Sequence, residues 1–190
     1  MTTAPELLPW TGSEEADRLI AQDPVALLIG FVLDQQVTVQ KAFSGPLELQ
    51  RRLGHLDPAR IAAEDPARLD ELFRERPALH RFPGSMAQRV QALCAFLAER
   101  YDGDAARIWT EAESGADLRK RLGELPGFGD LKVRSVYVLL TQQYGVRPPG
   151  WEAELPGHPT LGEVTTAQEL AAYQAAKRAH KAALRAAKGA

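Results

Sequence analysis

The chain is poor in cysteine: Cys94 is the only one among 190 residues. One thiol excludes a disulfide framework. It also excludes an iron–sulfur cluster or a cysteine-ligated zinc, which need several ligands at close spacing. No run of about 18 apolar residues occurs, so no membrane span is expected. The first residues lack a basic stretch followed by an apolar one, so no secretory leader is expected. A cytoplasmic protein is the resulting expectation. Strand signals are missing too, because no alternating apolar pattern flanks an Asn-Gly or Asp-Gly turn. Asp102-Gly103 follows a helical pattern and reads as its stop.

What is present suits one globular unit with a sizeable core: 45% of the residues are hydrophobic and 25% charged. The net charge of −2 hides an uneven distribution. The last 14 residues hold Lys177, Arg178, Lys181, Arg185 and Lys188 and no acid, which leaves 18 cations against 25 acids elsewhere. A basic tail thus follows an acidic body.

The pattern predicts an all-α fold. Aspartate precedes proline at Asp23-Pro24, Asp57-Pro58 and Asp65-Pro66, and each pair fits an N-cap carboxylate followed by proline at the first helical position. Ser85-Met86-Ala87-Gln88 fits a capping box opening a helix with Val90, Leu93, Cys94, Leu97 and Tyr101 on its apolar face. The expected helices are 13–21, a buried helix 24–42, 47–53, 58–63, 66–74, 85–101, part of 104–112, 116–124, 129–144 and 166–188, with an irregular Pro/Gly loop over 145–160. The expected organisation is an N-terminal segment over 1–23, a core over 24–150, and a C-terminal loop and basic helix over 151–190.

The most informative segment is Leu125-Pro126-Gly127-Phe128-Gly129. An amphipathic stretch from Leu118 runs into two glycines flanking a bulky residue, and a second helix follows at once with Val133, Val136, Tyr137 and Leu140 on one face. Glycine permits close approach of a ligand backbone, and a positive φ where the turn needs one. The amides of Gly127 and Gly129 stand at a helix N-terminus, a ready anion site that a DNA phosphate fits. This reads as a helix-hairpin-helix. The alternative is a helical corner with no ligand.

From Leu27 to about Gly145 the chain resembles the HhH-GPD superfamily of base excision DNA glycosylases, such as endonuclease III and the adenine glycosylases. Three blocks carry the resemblance in order: Leu27-Leu-Ile-Gly-Phe-Val-Leu-Asp-Gln-Gln-Val-Thr38, Phe82-Pro-Gly-Ser85-Met-Ala-Gln-Arg-Val, and Leu125 to Leu140. They are similar to those of a small subfamily of unassigned activity without an iron–sulfur cluster. The resemblance implies an all-α HhH-GPD fold binding damaged duplex DNA as a nucleoid-associated monomer. It implies a DNA-contacting set of Gly127, Phe128, Gly129, Lys132, Gln35, Gln36, Arg81 and Ser85, with Gln36 filling the space left by an extruded nucleotide. It also implies a K+ or Na+ ion held by the backbone carbonyls of Gly123, Leu125 and Phe128, with no cofactor required.

Two departures matter. The nucleophilic lysine of bifunctional relatives falls at Leu131. Lys132 stands one residue on, about 100° round the helix, and reads as a surface lysine near phosphate, or as a nucleophile if the helix start is altered. The aspartate these relatives carry after the hairpin is missing, since no aspartate follows Asp130. Candidate replacements are Glu152 and Glu154 in the Pro/Gly loop, and Asp34 at the end of an apolar helix, where an acid is costly unless paired or used. Solvated loop acids and a structural cap are the respective alternatives. The catalytic candidates are therefore Glu152, Glu154, Asp34 and Lys132. His80 reads as a pocket residue or a satisfied local hydrogen-bonder, Trp151 as a stacking residue or a loop anchor, and the basic tail as a DNA contact or a solvated face. The expected activity is that of a monofunctional glycosylase; the alternative is a divergent relative that binds damaged DNA without excision.

Overall fold

The computed structural model describes residues 3–189. They form ten α-helices, with no strand among the described residues. The helices are α1 Glu14–Gln22, α2 Pro24–Leu33, α3 Val39–Leu53, α4 Pro58–Ala62, α5 Pro66–Arg74, α6 Pro83–Tyr101, α7 Arg107–Thr110, α8 Gly115–Gly123, α9 Asp130–Gln142 and α10 Ala167–Lys188. Short 3-10 turns at Trp151–Glu154 and Leu161–Glu163 interrupt the loop before α10.

The three Asp-Pro caps form as the sequence predicts. Asp23 accepts from the amides of Val25 and Ala26, Asp57 from Arg60, and Asp65 from Ala67. Asp102, left-handed at φ 53°, ends α6 as expected, and the Gly103 amide donates to the Leu97 carbonyl at 3.0 Å.

Two expectations fail. Ser85 does not cap α6, which begins earlier with Pro83 in its first turn and has no side-chain cap. The expected 24–42 helix is two helices, and 47–53 is the second half of α3 rather than a helix of its own.

α2 is the centre of the molecule, with every residue from Val25 to Leu33 buried. That all-round burial explains its lack of a polar face. Its contact with α3 is reciprocal. The Phe43 ring lies where a Cβ on Gly30 would sit, and Leu33 Cδ1 lies where a Cβ on Gly45 would sit. Each helix offers one glycine notch to a large residue of the other. Trp10, Phe31 and Phe43 pack edge to face with centroids 4.9–6.1 Å apart. The Trp10 indole donates to the Val164 carbonyl at 3.1 Å, so segments from both ends of the chain close over this core. α6 packs against α4, α5 and α2, while α8 and α9 form an antiparallel pair beside the Trp151 turn.

Candidate DNA-binding and reaction site

The α8–α9 connection is a type II turn. Pro126 follows Leu125, Gly127 has φ +82°, and the Phe128 amide donates to the Leu125 carbonyl at 3.1 Å. Gly127 is therefore required by conformation. Gly129 is different: at φ −80° and ψ 173° it is extended backbone at the N-cap of α9. A Cβ on either glycine would meet no protein atom within 4 Å, so both face open space. Among the described residues, no group accepts from the amides of Gly127, Gly129, Asp130 or Leu131. Phe128 turns the other way, buried against Phe31 of α2 with centroids 6.5 Å apart. The hairpin is thus pinned to the central helix by its bulky residue and presents free amides outward.

The end of α2 faces this hairpin. Asp34 (φ −74°, ψ 67°) is the middle of an inverse γ-turn in which the Gln35 amide donates to the Leu33 carbonyl at 2.7 Å. Gln36 then adopts φ +54°, a left-handed conformation uncommon outside glycine. Thr38 restarts the chain as the N-cap of α3, accepting from the Lys41 amide. His80, buried, holds the break in place. Its Nδ1 accepts from the Phe82 amide at 2.9 Å, so Nε2 carries the proton and donates to the carbonyls of Leu33 (3.0 Å) and Gln35 (2.9 Å). Burial pushes its pKa down, with further depression from Lys41 and Lys132 against the pull of the two carbonyls. His80 is thus the satisfied hydrogen-bonder of the two readings.

Lys132 is not a surface lysine. Leu131 takes the outward position at 73% exposure, while Lys132 turns inward and donates from Nζ to the Val32 carbonyl at 3.3 Å. Burial lowers its pKa to about 8, against the opposing attraction of Asp34 and aided by Arg89. Asp34 shifts the other way: burial raises its pKa, while Lys177 and Lys132 hold it down. A desolvated carboxylate just past the end of α2 and a desolvated amine at the third residue of α9 are therefore near enough for each charge to act on the other.

The other candidates divide. Gln35 Oε1 accepts from Arg89 at 2.7 Å, and Gln36 is exposed beside it. Arg81 and Ser85 are exposed at the start of α6, with the Arg81 guanidinium 5.3 Å from the Phe82 ring centroid. Glu154 lies elsewhere. It is bound to Arg119 at 3.0 Å, which also reaches Asp130 at 3.3 Å, in a cleft with Gly123, Phe128 and Val133. Glu152 is exposed on the same 3-10 turn. Trp151 is an anchor, since its carbonyl accepts from the Tyr137 hydroxyl at 2.9 Å. The sequence does not single out Arg89, Tyr173 or Gln174, and Lys177 enters there only as part of the basic tail. Tyr173, half-buried, lies near enough to Asp34 for that charge to raise its pKa further, and Gln174 exchanges hydrogen bonds with Gln40 at 2.8 and 3.3 Å. Only the tail's charge pointed to α10.

A family model described as HhH-GPD superfamily base excision DNA repair protein matches residues 29–183. The chain belongs to that superfamily. The match takes in the second half of α2, the break, the hairpin and most of α10. No curated protein and no solved structure matches. As an HhH-GPD protein the chain is a member of a DNA-binding repair family. No described helix is long and apolar enough to cross a membrane.

Proposed function

We propose that this HhH-GPD protein is a DNA glycosylase that hydrolyses the N-glycosidic bond of a damaged base, with Asp34 as its working carboxylate. Lys132 at the start of α9, donating to the Val32 carbonyl two residues before Asp34, carries this reading. Glu154 is committed to Arg119, whereas the Asp34 carboxylate accepts no hydrogen bond among the described residues.

The free amides of Gly127, Gly129 and the first turn of α9 take a backbone phosphate. Gln36, exposed on its left-handed residue, occupies the stack where a nucleotide has been extruded. As the C1′–N bond breaks, the base leaves with the bonding pair, and positive charge builds on the sugar. A carboxylate in a desolvated recess stabilises that charge strongly. Asp34 then accepts a proton from the water that attacks C1′. The charges of Lys177 and Lys132 oppose the rise that burial imposes on the Asp34 carboxyl. Three neutral carbonyls, those of Gly123, Leu125 and Phe128, are chemistry suited to K+ or Na+. The Leu125 carbonyl retains a lone pair beyond the Phe128 amide it accepts. An ion there would add positive charge beside the phosphate.

The test is single-turnover excision on duplexes carrying uracil, hypoxanthine, an alkylated purine or an oxidised base, with Asp34→Asn as the matched variant. Excision abolished by Asp34→Asn is expected; excision unchanged by it removes Asp34 from the chemistry. One observation favours a second reading, a lesion binder without excision. α10 lays Tyr173 and Lys177 close to Asp34, and the described surface clefts of about 240–600 Å³ are lined by other residues. Tight binding to an abasic duplex with every lesion left intact would select it.

A further inference from the structure

α10 has two halves of different character. In the first, Leu170 is buried, Tyr173 and Gln174 are half-buried, and Gln174 bonds Gln40 of α3. In the second, every residue from Ala175 to Gly189 is exposed, so the helix runs on past the body without packing. Alanine-rich composition and the Thr166–Glu169 capping box sustain it there.

The cations of the exposed half are not scattered. At about 100° per residue, Lys177, Arg178, Lys181, Arg185 and Lys188 fall within an arc of about 100°. That arc overlaps the face on which Leu170 and Gln174 dock. The docking face therefore continues beyond the body as a cationic stripe about 16 Å long. Its first member, Lys177, stacks on the Tyr173 ring at 5.9 Å and acts on the Asp34 carboxylate. The stripe begins beside Asp34 and runs outward from the body along the exposed half of the helix.

We infer that the exposed half of α10 is a DNA-clamping arm whose Arg178, Lys181, Arg185 and Lys188 lie along the phosphate backbone of the duplex flanking the nucleotide held at the site. Charge complementarity names the occupant. The rest of the chain is acidic, 18 cations against 25 acids, and this stripe holds more cations than any other stretch free of acids. Duplex DNA carries one charge per about 1.7 Å of axis, so 16 Å of stripe faces several phosphates. The inference rests on the reading of the protein as a duplex-DNA binder.

The experiment compares two charge-matched variants of the full chain. Lys181→Gln with Arg185→Gln removes two cations from the arm. Arg60→Gln with Arg68→Gln removes two exposed cations from α4 and α5. Affinity for a duplex holding a reduced abasic site is measured between about 50 and 200 mM salt, where each phosphate contact contributes about 0.9 to the log–log slope. The arm variant should lose about 1.8 from the slope, and the α4/α5 variant should match the parent. Equal slopes for both variants and parent overturn the arm while leaving the glycosylase reading standing, as does a preference of the arm for a protein partner. A parent that binds no duplex at low salt overturns both.

Discussion

The hairpin and the break at Asp34–Thr38 are both short interruptions between helices, six residues (124–129) and five, and each contains one left-handed residue. They use it in opposite ways. In the hairpin a glycine takes φ +82° without strain, and the turn leaves amides free at the start of α9. In the break a glutamine takes φ +54°, and the carbonyls beside it are captured by His80. One end offers uncommitted donors to an anion. The other is held in a costly conformation by a buried clamp so that two side chains, Gln36 and Asp34, point where a relaxed chain would not send them. On the proposed reading, binding draws on the first and chemistry on the second.

The sharpest way to break this contrast is Asp34→Asn. It should lower excision about 100-fold or more, the scale of a lost general base, while duplex affinity stays within a few-fold. Equal losses in both measurements would show that the break also carries the grip.

Next come the glycines. Gly127→Ala forces alanine into a left-handed conformation and should cost about 1–2 kcal/mol of stability, read by urea unfolding. Gly129→Ala, at an extended φ, should leave stability unchanged. Both should weaken duplex binding, because each adds a methyl where a phosphate backbone approaches. A stable Gly129→Ala protein with full affinity would remove the hairpin from the grip.

His80→Ala tests the clamp. It leaves the Gln35 carbonyl and the Phe82 amide without a partner and takes one of two donors from the Leu33 carbonyl, a loss of about 1–3 kcal/mol. Excision should fall more than duplex affinity, since the hairpin is untouched.

Lys132 supplies a pH signature. Its Cε resonance should titrate near pH 8, well below the ordinary 10.5. Asp34→Asn should move the midpoint lower still, because the neighbouring anion favours the ammonium. Between about pH 8 and 10.5 the folded chain has released this proton and the unfolded chain still binds it, so stability from this group rises with pH across that window. A midpoint near 10.5 would return Lys132 to the surface.

The smallest effect is expected from Gln36→Gly. Removing the side chain relieves the left-handed strain and should raise stability by up to about 1 kcal/mol. Affinity for a duplex with an extruded nucleotide should fall at the same time.

The two regions also differ in how far the sequence discloses them. Pro126 before Gly127 dictates its turn locally, so the hairpin is readable from five letters. The Asp-Pro caps are readable for the same reason. The break is not, because its cause is distant. Apolar residues resume at Val37 and Val39, at helical spacing from Leu33, and the carbonyls at the break are bound by His80, more than 40 residues on. Lys132 was misjudged by the same limit. Counting from Gly129 puts Leu131 where an inward nucleophile is expected, but α9 begins at Asp130, and this start turns Leu131 outward and Lys132 inward. Arg89, Tyr173 and Lys177 join the site across long separations that no local pattern encodes.

The reciprocal glycine notches of α2 and α3 bear on all of this. With Phe43 seated on Gly30 and Leu33 on Gly45, neither helix can slide or rotate by a residue without driving a side chain into backbone. The segment between them is a bridge of fixed span between two immovable supports. A residue added there must bulge away from both notches, beside Asp34. The length of that bridge therefore bears on where the Asp34 carboxylate sits as much as the side chains around it do.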